Sequence, residues 1–476
     1  MSRFHKNFRR SPRRLGAALI AGLCLIAGAA PAAAQARSVD QEVEELRREI
    51  QELRRELEAL REGRAAEPGT PATEPAAPPA DRPDRLSELE RRIEVLAAEL
   101  ERLELGEVAI RAEEGVYGLG PAASKVYRRD EGLSIGGYGE MLYQNFDSER
   151  DDGSPSGSKD TFDFLRAIVY FGYKFNDKFL LNTEIEIEHA NEAFVEFAYL
   201  DYLWRPEANL RAGLVLVPMG FVNELHEPTI FLGARRPDVE QVIIPTTWRE
   251  NGFGLFGEAG QLSYRTYVVN GLRGENFSAG GLRGGRQKGS SALAEDLAWV
   301  GRLDWTPTPG VLIGGSAYVG GSGQGLQDPA GGTVGLDTTI LEGHAEWRWR
   351  GLELRALYAT AELDDVAGLN RAKGLTGAAS VGEELSGYYL QAGYDVLAKV
   401  SSERQLIPYV RFEAYDTQEA VPAGFARNPA TDVESLTVGL AFKPIDQIVL
   451  KADYQDYDNG AGTATDRFNV ALGYIF

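Results

Sequence analysis

The 476-residue chain is poor in the residues that hold small exported domains together: it has one cysteine, Cys24, with three methionines and four histidines. Without a second cysteine no intrachain disulfide forms, so the fold must be closed by hydrogen bonds and burial. Positive charge is also scarce, with 50 Lys+Arg against 71 Asp+Glu and a net charge of −21. Nucleic acid needs clustered cations and is excluded as a partner. Beyond the N-terminus no apolar run approaches the roughly 18–20 residues of a membrane-spanning helix. Gly (54) and aromatics (10%) are plentiful, which argues against a disordered chain.

What is present begins with Arg3, Lys6, Arg9, Arg10, Arg13 and Arg14. An apolar stretch from Leu15 to about Ala30 and a small-residue Pro31-Ala-Ala-Ala34 follow. Basic, apolar, then Ala-x-Ala is the order of a signal peptide, here residues 1–34, with cleavage expected after Ala34 or Ala36. Cys24 then leaves with it, and the remainder carries 44 basic against 71 acidic residues, a balance of −27.

Residues 39–62 place Val39, Val43, Leu46, Ile50, Leu53, Leu57 and Leu60 at alternating steps of four and three, the seam of a coiled coil. Residues 84–105 repeat it with Leu86, Leu89, Ile93, Leu96, Leu100 and Leu103. Between them, 63–83 is a Pro/Ala-rich linker that cannot continue a helix.

From residue 131 the period changes to two. Phe468, Val470, Leu472, Tyr474 and Phe476 share one face, and Asn469, Ala471 and Gly473 the other; Ile185 and Ile187 oppose Glu184, Glu186 and Glu188. Sixteen such segments, from 133–146 to 466–476, are longer than the ~5–6 residues of ordinary strands and match the ~9–11 needed to cross a bilayer at a tilt. Short connections alternate with long ones. An even strand count, short turns at one end and long loops at the other predict an all-β fold over 131–476: a 16-stranded antiparallel transmembrane β-barrel preceded by an α-helical coiled-coil segment. The terminal Phe476 fits the signal read by outer-membrane assembly machinery.

Several motifs then become specific. Arg211-Ala-Gly213, Pro218-Met-Gly220, Glu227-Pro-Thr, Arg235-Arg-Pro237 and Ile244-Pro-Thr-Thr-Trp-Arg-Glu-Asn-Gly-Phe-Gly254, with the signal peptide, helical segment and closing Phe, resemble the phosphate-selective porin O and P family. The resemblance covers about residues 130–476. It implies a trimeric, water-filled channel in the outer membrane of a Gram-negative bacterium, with one loop folded inward as a constriction and an anion or phosphate preference. The coiled coil would then lie in the periplasm.

In a pore the chemistry is the charge along the water path. The face opposite the apolar one carries Arg166, Arg211, Arg265, Arg302, Arg348, Arg350 and Arg411 with Glu184, Glu186 and Glu188. Both signs are present, and at least half are expected to pair across strands. Residues 218–249, stiffened by four prolines, are the candidate constriction, with Arg235, Arg236 and Arg249 against Glu224, Glu227, Asp238 and Glu240. The loop has no lysine, where the family's phosphate-selective members use a lysine-containing site. Only His189, His226 and His344 remain after export, without a serine motif or metal spacing, so no catalytic residue, metal or cofactor is expected. The predicted function is passive diffusion of small hydrophilic solutes. The expected partners are two further copies of the chain, outer-membrane lipid and lipopolysaccharide, and the assembly machinery. The alternative is a structural anchor whose coiled coil tethers the barrel to peptidoglycan.

Overall fold

The computed structural model describes residues 39–62, 87–93, 95–97, 115–400 and 404–476. The signal-peptide and linker readings, and Leu86, Leu100 and Leu103 of the second heptad run, lie outside the described residues. Helix α1 (Val39–Glu62) carries the first run. Leu53 and Leu57 from it form a buried cluster with Leu89, against which Ile93 and Leu96 also pack. The two heptad runs therefore meet within one chain.

The sixteen strands are β1 (Gly132–Phe146), β2 (Thr161–Lys174), β3 (Phe179–Glu188), β4 (Glu192–Arg205), β5 (Ala208–Leu216) and β6 (Arg249–Ala259). Then follow β7 (Leu262–Asn270), β8 (Leu297–Thr308), β9 (Val311–Gly321), β10 (Asp337–Trp349) and β11 (Leu352–Leu363). The last are β12 (Glu384–Tyr394), β13 (Gln405–Ala420), β14 (Asp432–Ile445), β15 (Ile448–Asn459) and β16 (Arg467–Ile475). Every strand pairs antiparallel with its sequence neighbours, and β1 closes on β16, so the sheet has no free edge. Beyond the last ladder pair, Phe476 and Gly137 exchange both backbone hydrogen bonds, at 2.9 and 3.0 Å.

The sheet is inside-out relative to a water-soluble barrel. Leu133, Phe162, Trp204, Phe253, Leu303, Trp349, Tyr358, Leu390 and Val438 point outward and are exposed, whereas Glu140, Glu184, Arg211, Arg265, Arg411 and Glu413 point inward and are buried. Exposed apolar side chains at this density, alternating with buried charge, are the polarity of a barrel whose solvent is lipid. The outward rings include Trp204, Trp299, Trp305, Trp347 and Trp349.

Strand ends depart from the sequence reading where turn residues mimic the alternation. The β8 strand begins at Leu297 rather than near 294, and β12 stops at Tyr394 rather than near 398. Arg350, expected on the lumen wall, instead occupies the β10–β11 turn with φ 49°, exposed, its guanidinium 5.3 Å from the Trp349 ring. A tight two-residue hairpin turn needs a left-handed residue there, which takes the side chain out of the strand's alternation.

Candidate functional site: the lumen and its inward loop

The connection between β5 and β6 covers residues 217–248 and lies inside the barrel. Arg249, read as its last residue, is the first residue of β6, buried and ion-paired with Glu196. The loop folds inward because of its composition: Val217, Met219, Phe221, Val222, Phe231, Leu232, Ile243, Ile244 and Trp248 are all buried. Each is worth ~1.5–3 kcal/mol relative to exposure in water, so extending the loop outward would be costly. Its ends are stapled by Asn223, whose Nδ2 donates to the carbonyls of Val217 (2.7 Å) and Trp248 (2.8 Å) while its Oδ1 accepts from the Trp248 amide (2.7 Å). A short helix, α2 (Val239–Val242), turns the chain back.

The loop touches the wall on nearly every side. His226 Nε2 lies 3.2 Å from Glu184 of β3, and Glu224 accepts the Arg265 ion pair of β7 at 3.0 Å. The Gly220 carbonyl accepts from Arg302 of β8, and the Phe221 ring packs on His344 of β10 and under Arg355 of β11. Glu240 accepts from Tyr389 of β12 at 2.7 Å, and the Val239 amide donates to Glu413 of β13 at 3.2 Å. Asp238 accepts from Tyr457 and the Ala234 amide donates to Asp453 at 2.6 Å, both on β15. A segment that meets β3, β7, β8, β10, β11, β12, β13 and β15 crosses the lumen.

The wall charges neutralise one another. Arg166 sits between Glu140 (3.4 Å), Glu186 (3.6 Å) and Glu188 (3.6 Å); Arg211 binds Asp201 at 2.9 Å; Arg411 binds Glu413 at 2.7 Å. Arg348 and Arg355 share Glu346, the first at 3.0 Å. Asp304 is a hub, accepting from Arg265 (2.7 Å) and Arg302 (2.8 Å), with His344 Nε2 at 2.9 Å. The ring's other nitrogen lies 2.6 Å from Glu342.

The loop cations differ. Arg236 donates to the His226 carbonyl at 3.2 Å and lies 6.0 Å from the Phe231 ring, and Arg235 has a buried Nε without a hydrogen-bond partner. Neither makes an ion pair among the described residues. The same holds for two arginines of the β7–β8 connection, which sequence reasoning did not single out. Arg286 donates to the carbonyls of Arg283, Thr246 and Thr247, and Arg283 keeps a buried Nη1 unpartnered. Burial, then the nearby Arg286 and Arg236, pushes the Arg283 guanidinium down to about 9, still cationic at neutral pH. Lys451 of β15 faces the same loop, donating to the Gly233 carbonyl at 3.0 Å with its ammonium 3.6 Å from the Phe231 ring. Two loop acids accept from protein donors: Glu227 takes two amides on Oε1 while its Oε2 is buried without a partner, and Glu240 accepts from the Val222 amide and Tyr389. Among the described residues no group of three or more His, Cys, Asp or Glu side chains is arranged to hold a metal ion.

A closed sixteen-stranded barrel with an apolar exterior, a charged interior and one loop across its lumen defines the structural class: a porin-like, membrane-spanning β-barrel. No family profile matches the chain. An uncharacterized protein of Aquifex aeolicus (strain VF5) is 37% identical over 391 residues, which are 79% of this chain and 87% of the other. The chain belongs to that protein's family. Among solved structures, OmpT, an outer membrane protein of Vibrio cholerae, is 12% identical over 73% of this chain and 100% of its own, with a TM-score of 0.47. Salmonella typhi OmpF, solved with daunomycin, is 13% identical over 73% and 98%, with a TM-score of 0.46. The outer membrane channel DcaP of Acinetobacter baumannii is 11% identical over 72% and 97%, with a TM-score of 0.45. At these values nothing about function passes from them to this chain.

Proposed function

We propose that this chain is an outer-membrane porin, passing small hydrophilic solutes by diffusion and selecting among them at the 217–248 loop, with a preference for anions. The observation that carries the reading is the contrast inside the lumen. Wall arginines are matched by carboxylates, whereas Arg235, Arg236, Arg283 and Arg286 beside the crossing loop have no carboxylate partner among the described residues. An anion passing them meets guanidinium charge that no carboxylate neutralises, and guanidinium geometry suits oxyanions. The resemblance to the phosphate-selective porin O and P family supports the trimer, the anion preference and the role of Phe476 in assembly. The acidic remainder of the chain suits a surface bearing lipopolysaccharide and its counter-cations.

The test is the reversal potential of the purified chain in a planar bilayer across a potassium chloride gradient. Chloride-side reversal that moves toward zero in Arg236→Gln/Arg283→Gln supports the reading. A cation-selective wild type, or one whose selectivity ignores those substitutions, overturns the anion preference and leaves a general porin.

A second reading, a structural anchor with helices reaching peptidoglycan, is favoured by how completely the loop buries the wall charges and by the pairing of the two heptad runs. Absence of conductance, together with peptidoglycan co-sedimentation lost on deleting residues 35–110, would select it.

A further inference from the structure

Residues 115–128 precede the barrel in sequence but lie within its mouth. Leu119, Ala122, Ala123 and Val126 are almost fully buried, and Ser124 is completely so. The wall positions they meet are Gly136 of β1, Gly172 of β2, Asn182 of β3, Asp201 of β4 and Arg211 of β5. All five lie close to the short-turn ends of their strands, so the segment occupies the mouth opposite the long loops, the periplasmic one in an outer-membrane barrel.

The wall is shaped for it. A Cβ on Gly172 would come within 2.4 Å of the Val126 Cβ, and one on Gly136 within 2.8 Å of the Ala122 carbonyl oxygen. On the segment's side, a Cβ on Gly120 would meet the Glu227 carboxyl at 2.5 Å. Any larger residue at these places would push segment and wall apart. Polar contacts complete the seat: Asn182 Nδ2 donates to the Ala123 carbonyl at 2.9 Å, and Tyr127 Oη donates to Asp201 at 2.6 Å while accepting from Arg211 at 2.7 Å. The Tyr117 ring meets Phe256 of β6 edge-on at 4.9 Å.

One contact belongs to neither wall nor turn. Glu227 of the lumen-crossing loop accepts from the amides of Ala122 and Ala123, both at 3.0 Å through the same Oε1. Two amides converging on one carboxyl oxygen make a latch, and it joins the mouth segment directly to the loop that crosses the lumen.

We propose that residues 115–128 are a displaceable stopper: seated, they narrow the periplasmic mouth and hold the 217–248 loop through Glu227, and displaced, they release that loop and widen the passage. This rests on the channel reading above, because a stopper needs a passage to close.

The test uses the full chain in a Cys24→Ser background with Ala123→Cys as a reporter, since the sequence has no other cysteine. Glu227→Ala/Tyr127→Phe removes the latch and the Asp201 bond; Gly172→Leu displaces the segment sterically while changing no residue of the latch or of the Asp201 bond. Folding is verified by the β-sheet circular dichroism of each variant. Labelling of the reporter by a membrane-impermeant maleimide is expected to quicken by roughly tenfold or more, the factor for losing two or three buried hydrogen bonds, and single-channel conductance is expected to rise with it. Faster labelling with unchanged conductance in a wild type that conducts overturns the stopper and keeps the channel. Unchanged labelling in both variants also overturns it, because the named contacts then do not hold the segment. Faster labelling in a chain that never conducts refutes the channel reading itself, and the stopper falls with it.

Discussion

Val438 lies midway along β14 with 55% of its surface exposed, between outward-facing Val410 of β13 and Tyr454 of β15 in the ladder. If the outer face meets lipid, Val438→Arg moves a guanidinium to the depth where the cost is greatest. That cost is about 2–4 kcal/mol for a cation near the bilayer midplane. The lost valine adds about 1 kcal/mol, half of what full burial of such a side chain returns. Together the substitution should lower unfolding free energy by about 3–5 kcal/mol. The assay is urea unfolding of the protein in lipid vesicles, with Val438→Leu as a control expected to change little. In water the same substitution replaces an exposed apolar side chain by a charged one, and surface changes of that kind stay within about 0.5 kcal/mol. A loss that small in vesicles, with the slope of the unfolding curve unchanged, would refute the membrane-facing assignment and the functional reading built on it.

Two further outcomes follow from charge. Asp304→Leu removes the carboxylate shared by Arg265, Arg302 and His344, which keep Glu224 and Glu342 as their remaining anions, and should cost about 1–3 kcal/mol in the same assay through the buried donors it leaves unpaired; Asp304→Leu/Arg302→Leu should recover part of it, and a loss below about 0.5 kcal/mol for the single substitution would show the hub to be solvated. In the loop after β1, burial and then Asp466, Asp458 and Asp456 raise the Asp151 carboxyl to about 6, and burial with Asp456 raises Asp466 of the β15–β16 loop to about 6. Because these folded-state values lie above the ordinary one near 4, the folded rim binds more protons between about pH 4 and 6, so rim stability falls as pH rises through that window and is level above it. Hydrogen exchange over residues 147–156, corrected for intrinsic rates, should show more protection at pH 5 than at pH 7, with the difference reduced in Asp466→Asn; protection that grows with pH would contradict the sign.

The barrel was legible because its signal is local and repeated. Every strand is at least nine residues long, and alternation survives the bulges of β1 and β4, while the Arg350 reading failed in a turn, where a left-handed residue interrupts the alternation without changing the residue types. The lumen charges were legible for the same reason, since a strand that exposes Val438 must turn Thr437 inward. Partnership was not, because it depends on register: Arg302 shares a face of β8 with Asp304, but that Arg265 and His344 join them follows from four strands, β7 to β10, lying in one order at one offset, which no spacing in the chain encodes.

The inward loop shows where composition stops informing. Its prolines and arginines marked residues 218–249 as a candidate constriction, and the acids among them read as opposing charges. In the folded chain Glu227 and Glu240 instead accept from backbone amides and a phenol, while Arg235 and Arg236 make no ion pair among the described residues. The residues that fix this arrangement are ones a charge-based reading passes over. Asn223 staples the loop's ends, the wall glycines at 136 and 172 leave space for a segment that arrives from outside the barrel, and that segment's own Gly120 leaves space for Glu227. A glycine in a strand ordinarily weakens it, so its place on an inward face is itself a signal of close backbone approach. Gly136 of β1 and Gly172 of β2 sit on that face, and the segment they accommodate, residues 115–128, carries no charge pattern that would have announced it.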